Sequence, residues 1–576
     1  NIDNVSHKTS AHSLSTHSKP MDTKQLKTSL NTKNKRVRFS EPNERDIHTN
    51  DSTHKNHTGK CLKPASHSTH TNHAIRTNSE QSTKHHKTTE PTPTVPLSNN
   101  NSSRYIPNPS QLIQTITEIT ETATPTPTKS LFRFENSEKA AAFNSKLLRA
   151  MRMDFHKAIH AQGDSFLKPG SEFRSPHLLK KLLHNHERWS KLERIIKTGA
   201  AYSFKKDIQY SEDTRLEDLA CDIQRGNNAS AKIPENDKAL RASYSKEVER
   251  GWLIPFLRED VIITPGASVI PAGVVTQYTI TSKGDRVIKR RPTHDASRPS
   301  PSGISVNLRC NKEDLDEPLF GYCLLRIINH IHALKIKFPQ ETIVINKTDL
   351  DSAYRRLHVM LRFALMCITI IDRIAYLLAR LPFGSTPAAD EFCTCSETIA
   401  DIAQWLVDDP SWVPAKLKSP LSHLIPNPEP ILPPTKLIKN PFPLAIPLDP
   451  KPIQIDVYID DIITTSLHKP EFTERAREAV PLAIHTLFRP VSPHEPIQRD
   501  WAISIRKLLG DGKLEHTKSV LGWIINTETF RIYLETAKFT AWQQEIDTMI
   551  ASDATKAKPI EKLIGKLNHV GFIIPL

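Results

Sequence analysis

The run Ile453-Gln454-Ile455-Asp456-Val457-Tyr458-Ile459-Asp460-Asp461-Ile462-Ile463-Thr464-Thr465 constrains this chain more than any other stretch. Ile453, Ile455, Val457 and Ile459 alternate, the pattern of a strand with one face against a core. Tyr458 and Asp460 then share the opposite face. A second β-rich run follows the aspartates at once, so the acid pair sits at a strand-turn-strand tip. Two carboxylates there can share divalent cations with a third acid from elsewhere, and two such ions about 3.5–4 Å apart serve in-line phosphoryl transfer. An ordinary acidic hairpin turn accounts for Tyr458 to Asp461 equally well. Other segments must decide.

The first of these is Ile343-Val344-Ile345-Asn346-Lys347-Thr348-Asp349, a strand-forming run that ends on an acid and is followed by a polar turn. Asp349 stands where a strand end would offer its carboxylate to the same cations as Asp460. Asp351, two residues on, reads as a solvated turn residue. The second is Leu381-Pro382-Phe383-Gly384-Ser385-Thr386-Pro387, where Thr386 suits an N-cap and Pro387 a first helical position. Ala389, Phe392, Ser396, Ile399, Ala403 and Leu406 then recur at three- and four-residue steps, an apolar stripe facing a core. The third pairs Val274–Ile280 with Arg286–Arg291 around Ser282-Lys283-Gly284-Asp285, a hairpin signal with a basic cluster beyond its turn. Downstream, Lys518-Ser519-Val520-Leu521-Gly522-Trp523 precedes two amphipathic helices. Phe539, Trp542, Ile546 and Ile550 mark one; Ile560, Leu563, Ile564, Leu567 and Val570 mark the other.

Over residues 250–576 these segments resemble the reverse transcriptases of retroelements. The first palm motif of that family has a metal aspartate, three intervening residues, a small residue and an aromatic, matched here by Asp349, Ala353 and Tyr354. The resemblance implies that Tyr354 stacks under the incoming sugar and excludes a 2′-hydroxyl, favouring a DNA product. Pro382-Phe383-Gly384 is similar to the second palm motif, which implies that Gly384 lets template or nucleotide pass close to the backbone. The hairpin is similar to the family's fingers, so Arg291, four residues before Asp295, would grip the triphosphate with Lys283 of the tip. Leu521-Gly522-Trp523 resembles the hairpin that supports the primer end, giving Tyr458, Lys518, Gly522 and Trp523 primer and template roles. Gly565-Lys566-Leu567-Asn568-His569 looks like the thumb of tyrosine-recombinase-bearing retrotransposons, with Lys562 and Lys566 on an outer, duplex-tracking face. Asp349, Asp460 and Asp461 would form the catalytic metal site for two Mg²⁺, with Mn²⁺ as the alternative ion.

One segment departs from the family. Residues 408–453 hold thirteen prolines and no glycine where compact enzymes have a short link. Proline removes amide donors and is excluded from sheet interiors, so an extended surface insertion is expected, without a core role and offering a protein-partner arm. Residues 1–130 are a Ser/Thr/Asn/His/Lys mixture with no sustained period, and are expected to be a disordered low-complexity tail. Residues 131–250 carry helical patterns such as Lys139 to His160 and Leu178 to Lys197.

The expected fold is therefore α+β: a right-hand polymerase with an antiparallel palm sheet and fingers over 251–535 and thumb-like helices over 536–576. It follows the helical region and the disordered tail. The expected activity is RNA-directed DNA synthesis on an RNA or DNA template, adding deoxynucleotides from triphosphates to a primer 3′-hydroxyl. The rival is an inactive or domesticated copy that only binds nucleic acid. A formal charge of +15, from 78 basic and 63 acidic residues, suits a polyanionic partner. Seven scattered cysteines argue for a reducing compartment, and no run is long enough to span a membrane, so an intracellular site, cytoplasmic or nuclear, is expected. Asn1 at the start and a stop just past the thumb-like helix suggest a fragment of a longer element, lacking RNase H and integrase or recombinase domains.

Overall fold

A computed structural model describes residues 107–280, 286–316, 319–430, 449–552, 555–571 and 573. Residues 1–106 of the expected tail, the hairpin tip with Lys283, and residues 431–448 of the insertion lie outside the described residues. The chain mixes helix and sheet. Helices α1 (Pro109–Glu121), α2 (Glu138–Ala150), α3 (Phe155–His160), α4 (Pro176–Leu183), α5 (Trp189–Thr198), α6 (Glu212–Arg225) and α7 (Pro234–Glu249) come first. Strand β1 (Leu253–Leu257), helix α8 (Arg258–Ile262), strands β2 (Ala272–Ile280) and β3 (Arg286–His294), helix α9 (Cys323–Lys337) and strand β4 (Ile343–Asp349) follow. Then come α10 (Leu361–Met366), β5 (Thr369–Ile371), β6 (Ile374–Leu378), α11 (Ala388–Asp408), β7 (Ile453–Tyr458), β8 (Asp461–Leu467), α12 (Pro470–Leu487) and α13 (Ile505–Asp511). The C-terminal part holds β9 (Thr517–Val520), β10 (Trp523–Asn526), β11 (Arg531–Leu534), α14 (Thr536–Ile550) and α15 (Ala557–Gly571).

Four antiparallel sheets result among the described residues, ordered β1-β6-β5, β2-β3, β4-β8-β7 and β9-β10-β11. The third is central and buried on both faces. Val344, Ile453, Ile455, Val457 and Ile462 enter the main core, against α11 and α12. Ile343, Ile345, Ile463 and Leu467 enter a second core with α9 and with Val520, Trp523 and Ile525. The half-buried strand expected at 453–459 is thus covered on its second face too. Asp456 is accommodated there because Arg326 of α9 meets its carboxylate at 2.5 Å.

Two sequence expectations need correction. The tail expected through residue 130 gives way to α1 at Pro109, because Leu112, Ile116 and Ile119 fall on one helical face and are at most 2% exposed. The proline-rich insertion is not wholly superficial. Trp412, Leu421 and Ile425 are buried in the main core, and Trp412 Nε1 donates to the Leu417 carbonyl at 3.0 Å. Prolines there interrupt hydrogen-bonded structure but leave the apolar side chains between them free to pack.

The helical region breaks where the periodicity alone runs on. Arg152 and Met153 take left-handed φ values of 58° and 60°, and Asp154 then caps α3 by accepting from the Lys157 amide. Between α4 and α5, buried His186 turns the chain and pairs with Asp401 of α11 at 3.1 Å. This region is locked to the rest by Glu172, a buried carboxylate facing three guanidinium groups. Arg499 lies at 2.8 Å and Arg356 and Arg380 at 3.3 Å each. Burial would raise the Glu172 carboxyl, but Arg499, Arg380 and Arg356 hold it well below the usual carboxylate range.

Candidate active site

Strand β4 runs antiparallel to β8 in a register that sets Asp349 directly opposite Asp461. Strands β7 and β8 are joined through Ile459 and Asp460, and Tyr458 pairs with Asp461. Ile459 takes φ 55° at this tip, unusual for a β-branched residue, and its side chain packs on the main core. The Asp460 carbonyl accepts from the Leu350 amide at 3.2 Å, tying the tip to the end of β4. Acids from segments more than a hundred residues apart therefore meet at one sheet end. Asp349 is 3% exposed, and Asp460 and Asp461 are half-buried.

Like charges placed directly opposite repel. Burial first, then Asp461, pushes the Asp349 carboxyl up to about 8, with Lys507 opposing. Asp460 is raised as well, by burial and then by Asp461. Lys507 of α13 contacts Asp349 Oδ2, and Lys347 Nζ lies 3.8 Å from both Asp461 Oδ1 and Asp511 Oδ2. Sequence reasoning missed both lysines. Lys507 is 158 residues from Asp349 along the chain, and no periodicity links them.

The donor set fits a hard dication: carboxylate oxygens only, and a buried Asp349 Oδ1 that has no hydrogen-bond partner. As they stand, the side chains do not form a finished cage. Among the described residues, no group of three or more His, Cys, Asp or Glu side chains is arranged to hold a metal ion.

Tyr354 lies in the short 3-10 turn Ala353–Arg356 that follows β4. Its ring packs against Phe383 at 4.7 Å and Phe392 at 5.3 Å. Its hydroxyl is pushed up by burial and then by Cys393, Asp460 and Tyr458. Tyr458 meets Phe320 edge-on at 5.4 Å. Asp351 bonds inside the protein, accepting from the Ser352 hydroxyl at 2.9 Å. On the hairpin, Arg291 is exposed opposite Val275. The Lys289 ammonium is held low by burial and then by Arg291, Arg506 and Lys507, so basic side chains of β3 and α13 lie within electrostatic reach of one another.

Gly384 (φ 95°) has a reason inside the protein to lack a side chain, since a Cβ there would lie 2.2 Å from the His294 carbonyl oxygen. Several other expectations are corrected. Thr386 does not cap α11, whose first residue is Ala388; its amide instead donates to Asn307 Oδ1 at 2.8 Å. Lys518 is buried and donates to Glu515 Oε2 at 2.6 Å and the Asp511 carbonyl at 3.1 Å, which removes it from any primer surface. Trp523, 1% exposed, belongs to the second core, whereas Gly522 (φ 86°) turns the chain between β9 and β10. Lys566 contacts Glu545 of α14 rather than facing outward. Phe539, Ile550, Ile560, Ile564 and Leu567 of the last two helices are exposed, and α15 meets Trp523 through His569 at 5.4 Å.

No described helix is long and apolar enough to cross a membrane. No protein-family model and no curated protein matches the chain. Solved structures similar to it include the foamy viral protease-reverse transcriptase in complex with double-stranded DNA, at 12% identity over 67% of this chain and 50% of that one, TM-score 0.33. The same viral protein with an RNA/DNA hybrid gives 11% identity over 80% and 40%, TM-score 0.32. Apo telomerase from Candida tropicalis gives 9% identity over 76% and 93%, TM-score 0.25. The chain spans half the length of the first of these. At these TM-scores the likeness assigns no activity, and the site stands on its own geometry.

Proposed function

We propose that the chain is an RNA-directed DNA polymerase of the reverse transcriptase type, extending a primer 3′-hydroxyl with deoxynucleotides on an RNA or DNA template. The observation that carries this reading is the meeting of Asp349, Asp460 and Asp461 at the end of one antiparallel sheet, where two carboxylates face each other across a strand pair. Asp349 and Asp460 would hold two Mg²⁺ ions, or Mn²⁺, with Asp461 completing the set. When bound, such ions supply Lewis-acid stabilisation of charge in an in-line displacement. Tyr354, wedged by Phe383 and Phe392, would present a fixed ring edge to the sugar and disfavour a 2′-hydroxyl. Arg291, exposed on β3, would donate paired hydrogen bonds to the triphosphate. The sheet around the acids would be the palm, β2 and β3 the fingers, and α14 with α15 the thumb.

A non-catalytic nucleic-acid-binding role is the second reading, and the Lys507–Asp349 ion pair is the observation that favours it. Primer extension on poly(rA)–oligo(dT) with Mg²⁺ and dTTP separates the two. The purified protein should extend the primer. Asp460→Asn should melt within a few degrees of the parent yet lose at least ~10³-fold in extension rate, the scale of several kcal/mol of metal-borne stabilisation. Retained extension in Asp460→Asn, or none in the parent, would overturn the assignment.

A further inference from the structure

Helix α13 reaches the acids by a short backbone tether. The Asp351 amide donates to the Ala502 carbonyl at 2.8 Å, and the Ser504 amide to the Asp349 carbonyl at 3.0 Å. Leu350 and Ile503 form an isolated antiparallel bridge between these contacts. The segment before α13 is thereby laid along the end of β4, and three residues later Lys507 turns its ammonium onto Asp349 Oδ2. Lys347, from β4 itself, stands 3.8 Å from Asp461. Three carboxylates thus have two ammonium groups among them. The Lys507 side chain is 41% exposed while that of Asp349 is 3% exposed, so the lysine can swing out to water and the aspartate cannot follow.

We propose that Lys507 is an internal counterion: it holds the acid cluster together in the ion-free protein and must leave Asp349 before a divalent cation binds there. The proposal rests on the metal-site reading above and assigns Lys507 a positioning role, acting through Asp349. Its consequence has two opposite signs. Removing the ammonium frees a buried carboxylate for the cation, and also strips a partner from that carboxylate when no cation is present.

The full chain is titrated with Mn²⁺ alone, free ion being followed by electron paramagnetic resonance, and is separately melted in EDTA. Lys507→Met should bind Mn²⁺ about 10-fold more tightly than the parent, the scale of one removed like charge near the ion, and should melt lower in EDTA. Lys507→Arg, which keeps the charge, should stay within about threefold of the parent in affinity. Asp349→Asn should lose the binding. A purely structural lysine would lower the melting temperature without raising affinity. Unchanged or weaker Mn²⁺ binding in Lys507→Met, with binding still lost in Asp349→Asn, overturns the counterion role alone. Binding that survives Asp349→Asn, or is absent from parent and Lys507→Met alike, overturns the metal site and the counterion role with it.

Discussion

Ile459 holds a left-handed φ of 55°, a conformation that costs a non-glycine residue about 1–3 kcal/mol and persists only where the surroundings enforce it. Here the enforcement comes from its side chain, packed on the main core, and the result is that Asp460 stands at the tip beside Leu350. Gly384 solves a related problem differently. Its φ of 95° and the His294 carbonyl 2.2 Å from where a Cβ would sit admit no side chain. Gly384→Ala should therefore lose about 2–4 kcal/mol in urea denaturation, combining backbone strain with overpacking. A loss under about 0.5 kcal/mol would mean that the His294 backbone yields. The sequence singles out this glycine but not its reason, because the carbonyl that crowds it comes from a strand ninety residues away. Lys518 and Trp523 mislead for other reasons: Lys518 folds back onto Glu515 and Asp511, three and seven residues before it, and Trp523 is enclosed by a second core.

Among the elements, those with a strong local period were legible. The β2–β3 hairpin, the strand ending on Asp349 and the strands flanking Asp460 lie where the sequence pattern places them, and Phe392, Ser396, Ile399, Ala403 and Leu406 of α11 all face the core. What alternation could not disclose is a partner on the second face of a strand. Asp456 looks solvated in sequence, yet Arg326 of α9 holds it inside. Nor does proline density report burial. The segment after α11 has Trp412 at 1% exposure, with Arg475 stacked 5.4 Å over its ring. Trp412→Ala should cost about 3–5 kcal/mol, read from the denaturation midpoint, as for other large core truncations. A cost below about 1 kcal/mol would return this segment to the surface.

For the molecule as a whole, protonation sets the working range. Burial holds His294 and His358 at about 3 and His330 and His485 at about 4, against an ordinary value near 6.5. The unfolded chain accepts protons on these rings below about pH 6.5, whereas the folded chain refuses them until pH 3–4. Their contribution is thus fully present above pH 6.5 and is lost as pH falls, each ring by up to about 1.4 kcal/mol per pH unit. Asp349 and Asp460, both raised by burial and then by Asp461, work in the opposite direction and soften the fall. The melting temperature should fall steadily from pH 7 to pH 5, and a flat profile over that interval would show that these rings stay accessible. The Glu172 knot has a consequence of another kind. Its carboxylate answers guanidinium groups that follow β4, follow β6 and precede α13. A chain pruned to the stretch that carries the recognisable motifs would leave those three cations stranded in the interior and unseat the loop behind Lys507. The helical half is therefore no ornament on the half that carries the acids: neither inherits a stable interior without the other.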